Sequence, residues 1–177
     1  MIGTMPNALS GRTQHIEVHK FHAGSIIGVT ILALLIQAFL PVYFPRTHLL
    51  DLPLVITIYF AFSRRNPSTG LLLGMTIGLI QDSLSRSPVG LFGISKTLVG
   101  YLASSLGARI DVENPVSRFG LTILFFLVHH AAFVIIQRVL LSQPAPIFTV
   151  ALWVGAFINA VIAVALFPLL DKLRLPN

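Results

Sequence analysis

The 177-residue sequence has no cysteine and little charge: Asp and Glu number 6, and charged residues of both signs make up 10%. The first absence excludes disulfides, thiolate metal sites and cysteine nucleophiles. The second excludes an ordinary soluble domain, in which about a quarter of residues are charged. Catalytic signatures are missing as well. There is no H-E-x-x-H, no G-x-S-x-G, no phosphate-cradling P-loop and no membrane-depth pair of carboxylates. An enzyme is not expected, and neither is a metal or other cofactor. No repeat with a period of 20 to 50 residues is visible, and the two halves do not match, so an inverted-repeat transporter lacks support.

What is abundant is hydrophobicity, at 55% of residues. Apolar runs recur from residue 23 to residue 170, and roughly 20 residues suffice for one crossing. The chain therefore reads as an all-α integral membrane protein of six transmembrane helices. Residues 1–22 form a polar N-terminal tail, 23–170 a single six-helix domain and 171–177 a C-terminal tail. The first span is too long for the core of a cleaved signal and is expected to stay as an anchor. The spans fall at about Ala23–Phe44, Leu49–Ser63, Ser68–Leu84, Val89–Ala108, Phe119–Leu141 and a last one ending near Leu170. Span two is short and starts at Asp51 and Pro53, so it is expected to tilt little, thin the bilayer or be partly re-entrant. Gly24 and Gly28 in span one form a small-xxx-small pair that permits close helix contact.

The net charge of +6 sits in short loops and tails, as membrane orientation requires. No continuous basic face or base-stacking platform points to nucleic acid. With six spans, Arg12, Lys20, Arg64, Arg65, Arg109, Arg118, Lys172 and Arg174 share one face; Arg46, Arg86 and Arg138 take the other. That imbalance predicts both termini in the cytoplasm and the Asp82–Pro88 turn outside.

Residues 70–107 hold the densest pattern. Gly70, Gly74 and Gly78 recur every fourth residue, and the next step is Asp82. Residues four apart lie one above the other on a helix, so the glycines make a groove that ends in a carboxylate. Span four carries its own seam of small residues at Gly93, Thr97, Gly100, Ser104 and Gly107, with Lys96 beside it. These seams accept each other or a partner's helix. Three readings of Asp82 stand open: an interfacial helix-end acid, a structural pairing, or a ligand contact. The expected pairing is an ion pair, or a shared polar cavity, between Asp82 and Lys96, whose stem can snorkel outward. Arg86 competes for the same acid.

His129 and His130 sit in the middle of span five. They read as neutral side chains bonding across helices, and Asn159 in span six as interhelical glue within their reach. Ser95 directly precedes Lys96, so the two point apart on a helix and form no dyad.

The arrangement in 70–107 resembles the MreD family, the rod shape-determining membrane proteins of bacteria. A glycine-laddered helix is followed by GLIQDSLSRSPVGL, with an Asp near the helix end and a Pro-x-Gly-Leu turn six residues later; Gly100–Leu102 supplies a Gly-Tyr-Leu in the next span. The resemblance falls on Gly74, Gly78, Asp82, Pro88, Gly90 and Tyr101. It implies a non-enzymatic subunit of the elongation machinery in the inner membrane. The implied partners are MreC and, through it, MreB, RodA and a penicillin-binding transpeptidase. The implied fold is similar to that of the substrate-binding subunits of energy-coupling-factor vitamin transporters. That likeness carries an alternative, a small-ligand capture subunit with a polar, aromatic-lined pocket on the outer half, lined by Asp82 and Lys96.

Overall fold

The structure is a computed structural model that describes residues 22–43, 49–85, 87–107, 109–110 and 114–174. Arg86 lies outside the described residues, as do Arg12, Lys20 and Arg46. Six helices follow one another: α1 (Ala23–Tyr43), α2 (Leu52–Arg64), α3 (Pro67–Leu84), α4 (Leu91–Gly107), α5 (Pro115–Leu141) and α6 (Val150–Asp171). Among the described residues there is no β-sheet. By length and composition α1, α5 and α6 are apolar enough to cross a membrane.

Local chemistry explains most of the boundaries. Asp51 accepts a hydrogen bond from the Leu54 amide at the start of α2, and Asn66 accepts from the Ser68 and Thr69 amides at the start of α3. Asn114 and Thr149 cap α5 and α6 in the same manner. Each such side chain satisfies an amide that has no partner within the helix. Proline at the first or second position of α2, α3 and α5 loses nothing, because those amides are free anyway. Arg65 and Ser142 close α2 and α5 in the left-handed region. Arg138, counted above among the outer cations, donates from Nε to the Ala145 carbonyl at 2.9 Å and so ties the α5–α6 connection.

The short second span is the centre of the molecule. α2 is one continuous helix, and every residue from Pro53 to Ser63 is buried. It touches all five other helices. At 13 residues it is about 20 Å long, short of the roughly 30 Å hydrocarbon core. Protein surrounds it instead of lipid, so its length need not match the bilayer. Leu54, Ile58, Phe60 and Phe62 of α2 pack with Val99 and Ala103 of α4, Phe125 of α5 and Ala163 and Phe167 of α6. A helix that is apolar on all sides belongs in such a place.

α3 and α4 form the tightest pair. A Cβ added at Gly74 would run into the backbone of Lys96 and Thr97, and one at Gly78 into Phe92 and Gly93. Gly70 meets Gly100 and Ser104. The two small-residue seams therefore pack against each other and are not free for a partner. One member of the expected seam lies elsewhere: Gly107 is packed on Phe62 of α2. Tyr101, named by the resemblance, is 45% exposed. α1 is peripheral and, among the described helices, touches only α2 and α3. Its glycine pair mediates no close contact among the described residues: none of them lies within 4 Å of a Cβ added at Gly24 or Gly28.

Candidate functional site

Two clusters of buried polar groups mark opposite ends of the bundle. The smaller one gathers around Asp171 at the end of α6. Its carboxylate takes Arg118 Nη2 from α5 at 2.8 Å, Arg174 Nη2 at 2.6 Å and the Tyr59 hydroxyl from α2 at 2.9 Å. This ties together the C-terminal ends of α2 and α6 and the N-terminal end of α5.

The larger cluster surrounds the entry to α2. Lys96 is 0% exposed, and its Nζ lies 2.6 Å from Asp51 Oδ2. His129 Nε2 stands 3.4 Å from the same Nζ and 3.9 Å from the same carboxylate oxygen. The Phe92 ring covers the ammonium at 5.2 Å from its centroid and stacks on the His129 ring at 6.1 Å. Asp51 is thus a cap and a counter-ion at once: Oδ1 serves the Leu54 amide and Oδ2 serves Lys96. The backbone around it is held too. Asn159 accepts from the Asp51 amide at 2.9 Å and donates to the Leu49 carbonyl at 2.8 Å. Gln37 of α1 donates to the Leu50 carbonyl and accepts from the Leu52 amide. Side chains from α1, α4, α5 and α6 thereby converge on four residues, Leu49 to Leu52.

The expected Asp82–Lys96 pair is not what forms. Asp82 is 0% exposed, which also rules out an acid lying open at the interface. It accepts three backbone hydrogen bonds, from Gly90 at 2.8 Å, Phe92 at 2.9 Å and Gly93 at 3.0 Å. The physical reason lies in the turn. Before α4 the chain reads Ser-Pro-Val-Gly, with Gly90 at φ +99°, and no side chain in the turn caps the helix. The free amides at its start, with the positive end of the helix dipole, draw the carboxylate from α3. Asp82 is a cap supplied from the neighbouring helix, and Lys96 takes the other acid within reach.

The remaining candidates divide. Ser95 Oγ donates to the Leu91 carbonyl at 2.8 Å and is committed to its own helix. Asn159 bridges α6 to the α2 entry and bonds neither histidine. His129 joins the ion pair, whereas the buried His130 Nε2 has no hydrogen-bond partner. His130 lines a cavity of about 270 Å³ together with Asp51, Phe92, Phe126, His129 and Phe133. Of the polar residues singled out in the sequence, His129 and His130 line it, and Asp82 and Lys96 do not. Asp51 and Gln37 went unmarked, although Asp51-Leu-Pro is a helix-start pattern and places an acid on the same side as Lys96.

Three His, Cys, Asp or Glu side chains placed to hold a metal ion do not occur together among the described residues. The buried charges are spent on one another and on helix ends, and so fix the helices relative to one another.

Comparison with known proteins gives one result. A family model described as rod shape-determining protein MreD matches residues 20–174. No curated protein and no solved structure matches the chain. The matched stretch takes in all six helices, with the glycine seam, the Asp82 cap and the polar cluster inside it. The chain belongs to the MreD family of rod shape-determining membrane proteins.

Proposed function

We propose that this protein is a non-enzymatic scaffold subunit of the bacterial elongation machinery, crossing the inner membrane six times with both termini in the cytoplasm. It binds MreC and, through MreC, stands in one assembly with MreB, RodA and a penicillin-binding transpeptidase, supporting cell shape and peptidoglycan synthesis. Its fold is similar to that of the substrate-binding subunits of energy-coupling-factor transporters.

The observation that carries this reading is the family match over residues 20–174. The use of buried polar groups agrees with it. Asp82 holds the start of α4, and Asp51, Lys96, Asn159 and Gln37 hold the entry to α2. A rigid bundle of this kind offers partners its outer faces. The glycines of α3 and α4 serve the interior, so MreC docks on lipid-facing side chains, among which Tyr101 is a candidate.

The test is copurification of a tagged chain from native membranes. MreC is expected in the eluate, and deletion of the gene should turn rods into spheres. An eluate lacking MreC, from cells that remain rod-shaped after deletion, would sink the proposal. A reporter at the C-terminus that is active only outside the cytoplasm would overturn the orientation.

A further inference from the structure

A cavity of about 480 Å³ opens between α1 and α3, and nothing in the packing of the bundle uses it. Its walls are aliphatic, with Ile27, Ile31 and Leu35 from α1 and Leu72, Ile77 and Ile80 from α3 among them. Three threonines are the only polar residues in the wall, and Thr76 spends its hydroxyl on the Leu72 carbonyl at 2.8 Å. Along α3 the cavity runs from Thr69 to Leu84, about 22 Å at the helical rise. Arg65 stands four residues before Thr69, with Arg64 beside it. Both arginines are half-buried. Among the described residues neither guanidinium has a carboxylate partner, whereas Arg118 and Arg174 are held by Asp171.

We propose that this cavity and the two arginines form one site for an anionic phospholipid. An acyl chain fills the cavity, and the phosphate is held by Arg64 and Arg65. Water is a poor occupant, because it needs two to four polar partners that an aliphatic wall does not supply. A transmembrane helix is too large: about 10 Å across and 22 Å long, it fills on the order of 1,700 Å³. Close helix contact in a membrane also relies on small residues, and α3 turns Gly70, Gly74 and Gly78 toward α4 instead. A second copy of the chain would enter with a helix and meets the same limits. A single hydrocarbon chain is slender and follows branched side chains, gaining dispersion contacts along its length. Charge then selects the lipid. An unpaired guanidinium offers a fork of donors that matches phosphate, and basic sites beside transmembrane helices attract anionic head groups. A zwitterionic lipid brings its own cation to the same place and gains less. This inference rests on the chain's place in a membrane and not on the rod-shape reading.

The experiment is native mass spectrometry of the full chain in mild detergent, titrated with palmitoyl-oleoyl phosphatidylglycerol and with phosphatidylcholine bearing the same chains. One lipid is expected to bind tightly per chain, phosphatidylglycerol about tenfold more tightly, as two arginines near a head group imply. The double variant Arg64→Gln, Arg65→Asn should lose that preference and keep the weaker binding of phosphatidylcholine. Thr76 lines the middle of the cavity from an exposed position, so Thr76→Phe blocks the cavity without entering the core. It should weaken both lipids about tenfold, the equivalent of some ten lost carbon contacts. Ile135→Phe, on the exposed face of α5, should bind both as the wild type does. Equal affinity of the two lipids for the wild type would overturn the proposal, as would a preference that survives the loss of both arginines. So would wild-type affinity in Thr76→Phe, or a dimer that Thr76→Phe converts to monomer, which would put a second copy in the cavity. The wild-type preference decides the matter even where a variant fails to fold.

Discussion

The α3–α4 hairpin and the entry to α2 are held by opposite kinds of force. In the hairpin, glycine lets two backbones approach until a single Cβ would collide. Lipid offers no hydrophobic drive to bring helices together, so close van der Waals contact replaces it. The α2 entry has no glycine seam. It is held by a buried ion pair and by amide side chains from α1 and α6. The hairpin is a matter of volume, tolerant of polarity changes at its edges and intolerant of added atoms. The entry is a matter of charge balance, tolerant of modest changes in size and intolerant of one charge without the other.

Substitutions separate the two, and the largest effect belongs at the entry. Lys96→Met or Asp51→Asn alone strands a buried charge, at a cost of about 3–5 kcal/mol. Denaturation of the purified protein in detergent should show either single variant as severely destabilised. Second comes the hairpin. Gly78→Leu forces α3 off α4 and is expected to cost about 1–3 kcal/mol or more, with partner copurification falling alongside; Gly24→Leu and Gly28→Leu on the open face of α1 should change stability by less than about 0.5 kcal/mol. A Gly78→Leu protein as stable as the Gly28→Leu protein would erase the contrast. Third, Asp82→Ala uncaps α4 and should cost about 1.5–3 kcal/mol, the range for hydrogen bonds to a charged group. Hydrogen exchange should then quicken in the first turn of α4 and leave the α2 entry protected. The smallest expected effect at a buried polar group is Asn159→Leu. Interhelical hydrogen bonds in membranes are worth about 0.6 kcal/mol and at most about 1.7, and thermal unfolding should register a shift of that size.

The contrast also explains what could be read in advance. Helix positions and the glycine ladder Gly70–Gly74–Gly78 are local patterns, since residues four apart meet whatever the rest of the chain does. Asp82 was legible as an acid near a helix end, with structural pairing only one of three open readings. Its partner was not, because the outcome depended on α4 having no cap of its own. Lys96 was assigned the acid nearest in sequence, across the hairpin, yet its counter-ion lies 45 residues away. Only the packing of α2 into the centre of the bundle, against all five other helices, brings Asp51 there. That packing also explains why a helix too short for the bilayer is nonetheless whole. His129 and His130 are adjacent in sequence, but helical geometry turns one toward Lys96 and leaves the other to the cavity wall.

The central claim is that Lys96 belongs to Asp51 and Asp82 belongs to the start of α4. A pair of double-mutant cycles tests it most directly, one on Lys96→Met with Asp51→Asn and the other on Lys96→Met with Asp82→Asn, each read as unfolding free energy. The account predicts strong coupling in the first cycle, at the upper end of the roughly 0.5–3 kcal/mol seen for groups in contact, with the double variant more stable than the sum of the single losses implies. It predicts a distinctly smaller coupling in the second. A larger coupling between Lys96 and Asp82 than between Lys96 and Asp51 would contradict it.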